Sequence, residues 1–265
     1  MRVDMPGPGG ASHRLLVFAP HPDDASLAAG GLMQQWENVT ICHVTAGDGY
    51  WRAEEAYEGH WSPDGADYVA LGRQRWREAQ EAAGILHAQR FLLGFPDACL
   101  MEVLKSTQPF RSPFTRCDTV PYSFAVQPGV AYTAANLVAL FRRAIQQTQP
   151  QLIVAPSILD ENETHHATAM ALREVWKTWP DHPPVWSYIV HAAHGFYPGL
   201  GLLWNRQINP SLGELPGPHV QVSLTRHEER IKYNAIDAHA TQMAVLGPWL
   251  NAFVSQNEVF HPEQP

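Results

Sequence analysis

Short apolar runs alternate along the chain with longer segments in which apolar residues recur every three or four positions. A compact apolar run is typical of a buried strand, and the longer period is typical of an amphipathic helix. The runs predict strands over 15–19, 38–45, 90–94, 151–156 and 184–191. The periodic segments predict helices over 25–36, 68–86, 134–149, 164–176 and 223–246.

This order of elements predicts the fold class. Strands that alternate with helices form a parallel sheet, so we expect an α/β, Rossmann-like, doubly wound fold with a mostly parallel sheet and helices on both faces. Because no linker or internal repeat is visible, we expect one domain over 13–265 after a flexible N-terminal arm over 1–12. The segments 105–133 and 195–220 are rich in Pro, Gly and aromatic residues. We expect long loops there, and we expect the first to form a wall of a binding cleft, since long ordered loops are usually functional.

The composition disfavours several classes of protein. The formal net charge is −8 and Lys and Arg form no basic stripe, so we expect no nucleic-acid partner. The chain has no apolar stretch of 18 residues, and we therefore expect no membrane span. Three cysteines, Cys42, Cys99 and Cys117, are too few and too scattered for a disulfide framework or a Cys-type zinc site. They favour a reduced, cytoplasmic setting.

The segment 18–31, FAPHPDDASLAAGG, ends an apolar run with a histidine, a proline and two adjacent aspartates. Neighbouring carboxylates repel each other and are costly to bury, so either water covers them or a cation lies between them. These residues stand at the carboxyl end of the first predicted strand, and the polar segments 45–49 and 160–166 follow two other strands. Ligands of open α/β sheets bind at the carboxyl ends of the strands, so these groups should share one rim of the sheet.

A metal site is one interpretation of this rim. His21 and Asp24 have the ligand types and close spacing that suit a divalent metal, and His165 or His166 offers a third ligand at a helix start. Two histidines and one carboxylate leave a position open for water, as catalytic zinc sites do, and Asp23 can take a proton from that water. The alternative is structural, because Pro-Asp-Asp is also a good turn and helix N-cap and a helix-start histidine is often merely exposed.

Several motifs resemble those of one family. VFAPHPDDASLAAGGL resembles the opening motif of the PIG-L/LmbE-like zinc-dependent de-N-acetylases, and later motifs follow in the family's order and spacing: HVTAGDG, RWREAQEAAGI, FLLGFPDACL and THHAT. YIVHAAHG and KYNAIDAHATQ are similar to late segments of many bacterial members. The resemblance covers nearly the whole chain, and it implies a metal-dependent amidohydrolase.

The resemblance also implies roles for single residues. The implied roles are zinc binding by His21, Asp24 and His165, proton abstraction by Asp23, substrate contact by Arg75 and Asp97, and a further catalytic place for His191. Three positions depart from the family pattern. Ala25 replaces a common Glu that is not a ligand, and Ala28 stands where Gly or Ser is common. Asn162 stands where the family often has His; it can support the developing oxyanion by a hydrogen bond but cannot act as a general acid.

The resulting hypothesis is an enzyme that uses zinc to hydrolyse an N-acyl group, N-acetyl in the first place, from an amino-sugar conjugate. The expected partner is a small-molecule N-acylated sugar, and the sequence is compatible with a homo-oligomer. Two alternatives stay open: a non-catalytic sugar or nucleotide binding protein on the same scaffold, and an amidohydrolase that acts on a non-sugar amide. The absence of a G-x-G-x-x-G motif after the first predicted strand disfavours the nucleotide binder.

Overall fold

The structure is a computed structural model that describes residues 13–58, 63–179, 181–192, 197–209 and 218–263. The strands are β1 (Arg14–Ala19), β2 (Asn38–Thr45), β3 (Gln89–Phe95), β4 (Leu152–Pro156), β5 (Val185–Tyr188), β6 (Val220–Ser223) and β7 (Asn257–Glu263). The helices are α1 (Asp24–Ala29), α2 (Trp51–Glu58), α3 (Gly65–Ile85), α4 (Leu100–Lys105), α5 (Ala134–Thr148), α6 (Glu163–Trp176), α7 (Arg226–Asp237) and α8 (Ala240–Leu250). Two short 3-10 helices cover Leu32–Gln35 and Asn251–Phe253. The predicted arm over 1–12 and parts of the predicted loop over 195–220 lie outside the described residues.

The sheet has the strand order β3-β2-β1-β4-β5-β7-β6. The first five strands of the chain are parallel, whereas β7 runs antiparallel to β5 and β6 runs antiparallel to β7. The prediction of a mostly parallel, Rossmann-like α/β fold is confirmed. The strand order reverses between β1 and β4, and this reversal opens a crevice at the carboxyl ends of these two strands.

The central strand β1 shows how the core forms on both faces of the sheet. Leu15 and Val17 pack into one buried cluster, and Leu16 and Phe18 pack into the other. Successive side chains of a strand point to opposite faces, so a strand covered by helices on both sides must be apolar throughout. This is why the run over 15–19 has no polar alternation.

The helix predicted over 25–36 is shorter than expected. α1 ends at Ala29, and the chain then makes a turn before the first 3-10 helix. At this turn the backbone N–H of Gly31 donates to the buried carboxylate of Glu258 (2.8 Å). A Cβ on Gly31 would lie 2.3 Å from the Leu224 side chain, so Leu224 would have to move if a larger residue stood here.

The prediction of one continuous helix over 223–246 is also wrong, because the structure has two helices there, α7 and α8. The break lies at His239, whose ring Nε2 is 3.2 Å from the hydroxyl oxygen of Ser26. The first turn of α8 is then bound to another helix, because the backbone N–H and the hydroxyl of Thr241 both donate to Glu78 (3.1 and 2.7 Å). Tertiary hydrogen bonds therefore override a continuous helical period.

Among the described residues, five elements were not predicted: α2, α4, β6, β7 and the 3-10 helix over Asn251–Phe253. β6 alternates buried and exposed residues, as a strand with one covered face should, but over only four positions. Across the described residues, no helix has the length and apolar character that crossing a membrane requires.

Candidate active site

Polar groups from three strand ends meet beside the crevice between β1 and β4. His21 and Asp24 follow β1, Asp97 follows β3, and Asp160 and His165 follow β4. Their side chains are linked by hydrogen bonds. The sequence predicted that the ends of β1 and β4 share a rim, whereas it had not placed the end of β3 there. Except for the partly exposed His21, all of these side chains are buried.

Three of these side chains form a compact triangle of potential ligand atoms. Nδ1 of His21 lies 3.2 Å from Nε2 of His165, and Oδ2 of Asp24 lies 3.1 and 3.0 Å from these two nitrogens. Ligands held about 2.1 Å from a tetrahedral metal are separated by roughly 3.4 Å, so this triangle needs to open by only a few tenths of an ångström. Among the described residues, it is the group of metal-ligand side chains that could hold an ion.

The electrostatics of the triangle call for positive charge. Burial alone lowers the pKa of His21, but the carboxylates of Asp97 and Asp24 outweigh it and raise that pKa well above its ordinary value. The same balance, with Asp160 and Asp24 as the carboxylates, raises the pKa of His165 to about 9. Burial raises the pKa of Asp24, but the two histidines hold it well below its ordinary value. Protonated imidazoles thus balance the charge of the ionised carboxylates here, and a divalent cation would supply the same positive charge.

The N-terminus of α6 decides which of two adjacent histidines joins the triangle. The side-chain oxygen of Asn162 caps the helix by accepting from the backbone N–H groups of Thr164 (2.9 Å) and His165 (3.4 Å). This start directs His165 into the site, where it is fully buried. The ring of His166 turns away, with Nδ1 2.8 Å from the carbonyl oxygen of Ile158. Sequence spacing alone left this choice open.

Asp23 lies beside the triangle and pairs with a buried arginine, Arg75. Its Oδ1 accepts a hydrogen bond from Nη2 of Arg75 (3.0 Å), and both side chains are buried. A second guanidinium nitrogen of Arg75 donates to the carbonyl oxygen of Gly47 (2.8 Å). Arg75 was predicted to contact substrate; it borders the cavity described next, and its visible contacts orient Asp23.

A cavity of about 680 Å³ opens onto these groups. This volume lies within the range of about 300–1,000 Å³ that is typical of small-molecule sites. The sequence-predicted residues on its wall are His21, Asp23, Asp24, Arg75, Asp97, Asn162 and His191. Apolar and aromatic side chains form another part of the wall: Leu27, Val190, Tyr197, Leu246 and Trp249. The cavity therefore combines a polar, ligand-rich part with an apolar part.

His191 lies between these two parts of the cavity. Its ring centroid is 5.0 Å from that of His165 and 5.1 Å from that of Trp249. Burial, together with the charge of His165, lowers the pKa of His191 to about 4. The indole N–H of Trp249 donates to the carbonyl oxygen of Tyr197 (2.7 Å), which holds the aromatic wall beside His191 in place.

A family model described as PIG-L, GlcNAc-PI de-N-acetylase, matches residues 16–176. This chain belongs to the PIG-L family. The match confirms the resemblance that the motifs indicated, and with it the expectation of an enzyme of the metal-dependent N-deacetylase type. The matched range contains all three residues of the ligand triangle.

Solved structures similar to this PIG-L family member include two deacetylases and one hydratase. The A40926 pseudoaglycone deacetylase Dbv21 has 20% identity and a TM-score of 0.61, with 94% of this chain and 96% of that chain covered. The zinc-inhibited form of teicoplanin deacetylase Orf2 has 19% identity and a TM-score of 0.60, with 94% and 97% covered. GalB, the 4-carboxy-2-hydroxymuconate hydratase from Pseudomonas putida, has 14% identity and a TM-score of 0.60, with 96% and 97% covered. A search of curated proteins finds no significant match. At these identities the likeness shows the fold, and the reaction must be argued from the site.

The loop over 105–133 does not form a wall of the cavity in this PIG-L family member, so that prediction is wrong. None of its residues borders the cavity. Its aromatic residues instead pack against the protein: Phe124 stacks on Trp76, with ring centroids 5.7 Å apart. The hydroxyl of Tyr122 donates to Oδ2 of Asp48 (2.5 Å), which places the loop behind the site rather than in front of it.

Two carboxylates lie in the segments predicted for the rim but had been assigned no individual role. Asp160 accepts from Nδ1 of the ligand candidate His165 (3.1 Å). Asp48 accepts with its Oδ1 from the backbone N–H of Asp97 (3.1 Å). Both stand just after predicted strands, and this position was the available signal.

Proposed function

We propose that this PIG-L family member uses zinc to hydrolyse the N-acetyl group, or another N-acyl group, of an amino-sugar conjugate. One observation carries the proposal: the triangle of His21 Nδ1, Asp24 Oδ2 and His165 Nε2 adjoins the buried Asp23–Arg75 pair at a small-molecule cavity. A metal site next to a carboxylate that can accept a proton is the arrangement that amide hydrolysis needs. The description of the matching family model, GlcNAc-PI de-N-acetylase, supports a sugar-linked N-acetyl group as the substrate.

The residues of the triangle suit zinc. Two imidazole nitrogens and one carboxylate oxygen leave a fourth tetrahedral position open, as in catalytic zinc sites. When bound there, the ion supplies Lewis-acid chemistry, because it polarises the amide carbonyl and makes water more acidic.

Asp23 is the proposed general base. Its carboxylate takes one proton from the attacking water while the water oxygen bonds to the amide carbon. When the carbon–nitrogen bond then breaks, the same carboxyl gives this proton to the leaving nitrogen, so that the products are a carboxylic acid and a free amine. Arg75 keeps the Asp23 carboxyl oriented between these two transfers, since it donates to Oδ1 from a fixed position.

Two side chains are proposed to support the oxygen that becomes negative in the transition state. Asn162 uses its side-chain oxygen to cap α6, which leaves its amide N–H₂ as the part that can donate. His191 borders the same cavity and has one ring N–H to donate in its neutral form. Hydrogen bonds that strengthen as charge develops on the oxygen lower the barrier.

The test is an assay of zinc-loaded protein on an N-acetylglucosamine conjugate, with acetate and free amine measured separately. Equimolar release of both products, lost in Asp23→Asn, is expected. Tight binding without release would favour the sugar-binding alternative, and release from simple amides but not from the sugar conjugate would favour a non-sugar amidohydrolase.

We also propose one domain over 13–265 and a cytoplasmic location, with which the free cysteines Cys42, Cys99 and Cys117 are compatible. A homo-oligomer stays a prediction.

A further inference from the structure

The two histidines of the ligand triangle each have a second ring nitrogen, and both of these outer nitrogens meet a buried carboxylate. Nε2 of His21 lies 2.9 Å from Oδ1 of Asp97. Nδ1 of His165 lies 3.1 Å from Oδ2 of Asp160. A carboxylate accepts hydrogen bonds and donates none, so the ring nitrogen that faces it must carry the proton. The inner nitrogens, His21 Nδ1 and His165 Nε2, face Asp24 Oδ2, the third corner of the triangle. A metal bound by all three corners displaces any proton from the inner nitrogens, which then offer it their lone pairs.

The two histidines are turned in opposite senses. His21 meets its carboxylate with Nε2 and faces the triangle with Nδ1, whereas His165 meets its carboxylate with Nδ1 and faces the triangle with Nε2. We propose that Asp97 and Asp160 are positioning residues that fix these opposite tautomers, so that His21 binds the metal through Nδ1 and His165 binds it through Nε2. The inference rests on the metal centre of the proposed function but not on the identity of the substrate.

The surroundings of Asp97 fit this role. Each oxygen of a carboxylate has about two sites at which it can accept a hydrogen bond, and three of the four donors to Asp97 converge on Oδ1, the oxygen that faces His21. The donors to Asp97 are His21 Nε2 (2.9 Å), Thr164 Oγ1 (3.0 Å) and the backbone N–H groups of Ala98 (2.7 Å) and Gly49 (3.2 Å). The protein thus holds Oδ1 in place, whereas Oδ2, with one donor, keeps a site that can accept from a ligand in the cavity.

Asp160 is held in the same way. Its relative exposure is 2%, and it does not border the cavity, so it cannot reach a substrate. The donors to Asp160 are His165 Nδ1 (3.1 Å) and the backbone N–H groups of Val190 (2.8 Å), His191 (3.1 Å) and Asn162 (3.0 Å). Three backbone donors fix its carboxylate before the histidine is added. The fold therefore builds two rigid acceptors, one for each ligand.

Removing such a supporting carboxylate typically weakens metal binding about 10- to 100-fold. We expect Asp97→Ala and Asp160→Ala to lower the affinity for Zn²⁺ by that factor, measured by competition with a chromophoric chelator. Asp97→Asn and Asp160→Asn keep an oxygen acceptor and should lose less. Glu78→Gln is the matched control, since Glu78 is a buried carboxylate hydrogen-bonded to Thr241 rather than to a ligand histidine. Thermal melting of each metal-free variant shows how much of it is folded during the titration.

A second measurement reads the tautomers directly and needs no variant. In protein with ¹⁵N-labelled histidine, two of the 14 imidazoles should shift when Zn²⁺ is added. Long-range ¹H–¹⁵N correlations should then show one zinc-bound ring protonated at Nε2 and the other protonated at Nδ1. Two rings protonated at the same nitrogen, or folded Asp→Ala variants that bind Zn²⁺ as tightly as the unaltered protein, would overturn the inference. Opposite tautomers in a protein that hydrolyses no sugar amide would refute the proposed function and leave this inference standing.

Discussion

Oδ1 of Asp23 lies 3.0 Å from Nη2 of Arg75, although the two residues are 52 positions apart in the chain. The guanidinium reaches this place because Gly47 adopts a positive φ of 67° and leaves room for it. A Cβ at Gly47 would lie 2.1 Å from Nη1 of Arg75. The orientation of the proposed base thus depends on a helix and a turn that are distant from it in sequence.

Removal of the guanidinium should destabilise the protein. Arg75→Met leaves the buried carboxylate of Asp23 without a partner, and breaking a buried ion pair in this way costs about 3–5 kcal/mol of the free energy of unfolding. Urea denaturation of the metal-free protein measures the loss. The double variant Arg75→Met/Asp23→Asn removes the unpaired charge and should recover part of it. No loss in the single variant would show that the pair does not contribute to stability.

Asp23→Asn should retain zinc and lose turnover. Asparagine has the same shape and can still accept a hydrogen bond from Arg75, but it cannot take a proton from water. Loss of a general base lowers kcat by about a hundredfold or more. Kinetics on an N-acetylglucosamine conjugate, with zinc content measured on the same sample, give the answer. Turnover close to that of the unaltered protein would mean that another group is the base.

Metal content should show which of two neighbouring histidines, His165 or His166, is a metal ligand. We expect the purified protein to hold about one zinc ion per chain, and we expect His165→Ala and His21→Ala to lose it on dialysis. His166→Ala is the matched control, because the ring of His166 turns away from the triangle toward the carbonyl oxygen of Ile158. Elemental analysis compares the three variants. Equal zinc in His165→Ala and His166→Ala would remove His165 from the ligand set.

Substitutions of Asn162 should distinguish its capping role from its proposed catalytic role. Serine is a good N-cap, so Asn162→Ser should keep the stability of the protein, whereas Asn162→Ala should lose about 1 kcal/mol. Both variants lack the amide N–H₂, and loss of one oxyanion donor lowers kcat by about a hundredfold. The measurements are the melting temperature and kcat of each of the two variants. If kcat falls only in Asn162→Ala, the residue acts through the helix cap alone.

Asp48 should make the stability of the protein depend on pH. Burial raises the pKa of its carboxyl to about 6, above the ordinary value of 3.8. The unfolded chain then loses this proton at lower pH than the folded protein does, so stability falls as the pH rises from about 4 to 6. Asp48→Asn cannot ionise, and at pH 7–8 it should exceed the unaltered protein by up to about 3 kcal/mol.

The gap between Asp48→Asn and the unaltered protein should close as the pH is lowered to about 3, since Asp48 is then largely protonated in both states. Urea denaturation at several pH values measures it. The control is Asp237→Asn at an exposed position, which should change stability by less than about 0.5 kcal/mol at every pH. A gap that does not vary with pH would contradict the assignment to ionisation of Asp48.

The apolar run over 15–19 and the motif that follows it could be interpreted from the sequence alone. A central parallel strand must be apolar on both faces, and the carboxyl ends of parallel strands meet at one edge, so local pattern and general geometry were enough to bring His21 and Asp24 to a shared rim. Helices α5 and α6 and strands β1 to β4 were predicted for the same reason. Their apolar residues repeat with the period of the element that buries them.

The places where the predictions failed depend on contacts between distant residues. The break at His239 is stabilised by hydrogen bonds to Ser26 and, through Thr241, to Glu78, and no short-range pattern records those partners. The loop over 105–133 was correctly expected to be long, but its packing behind the site depends on the contact of Tyr122 with Asp48.

The ligand types could be predicted from the sequence, whereas the surroundings that give each side chain its role could not. The chain itself determined that His21, Asp23 and Asp24 emerge together from one strand end, because they are neighbours along it. Only the tertiary structure decided that Arg75 faces Asp23 and that Asp97 and Asp160 face the outer nitrogens of the two histidines. The physical reason is that a hydrogen bond requires atoms to lie within about 3 Å of each other, and for residues far apart in the chain the packing of the whole fold sets that distance.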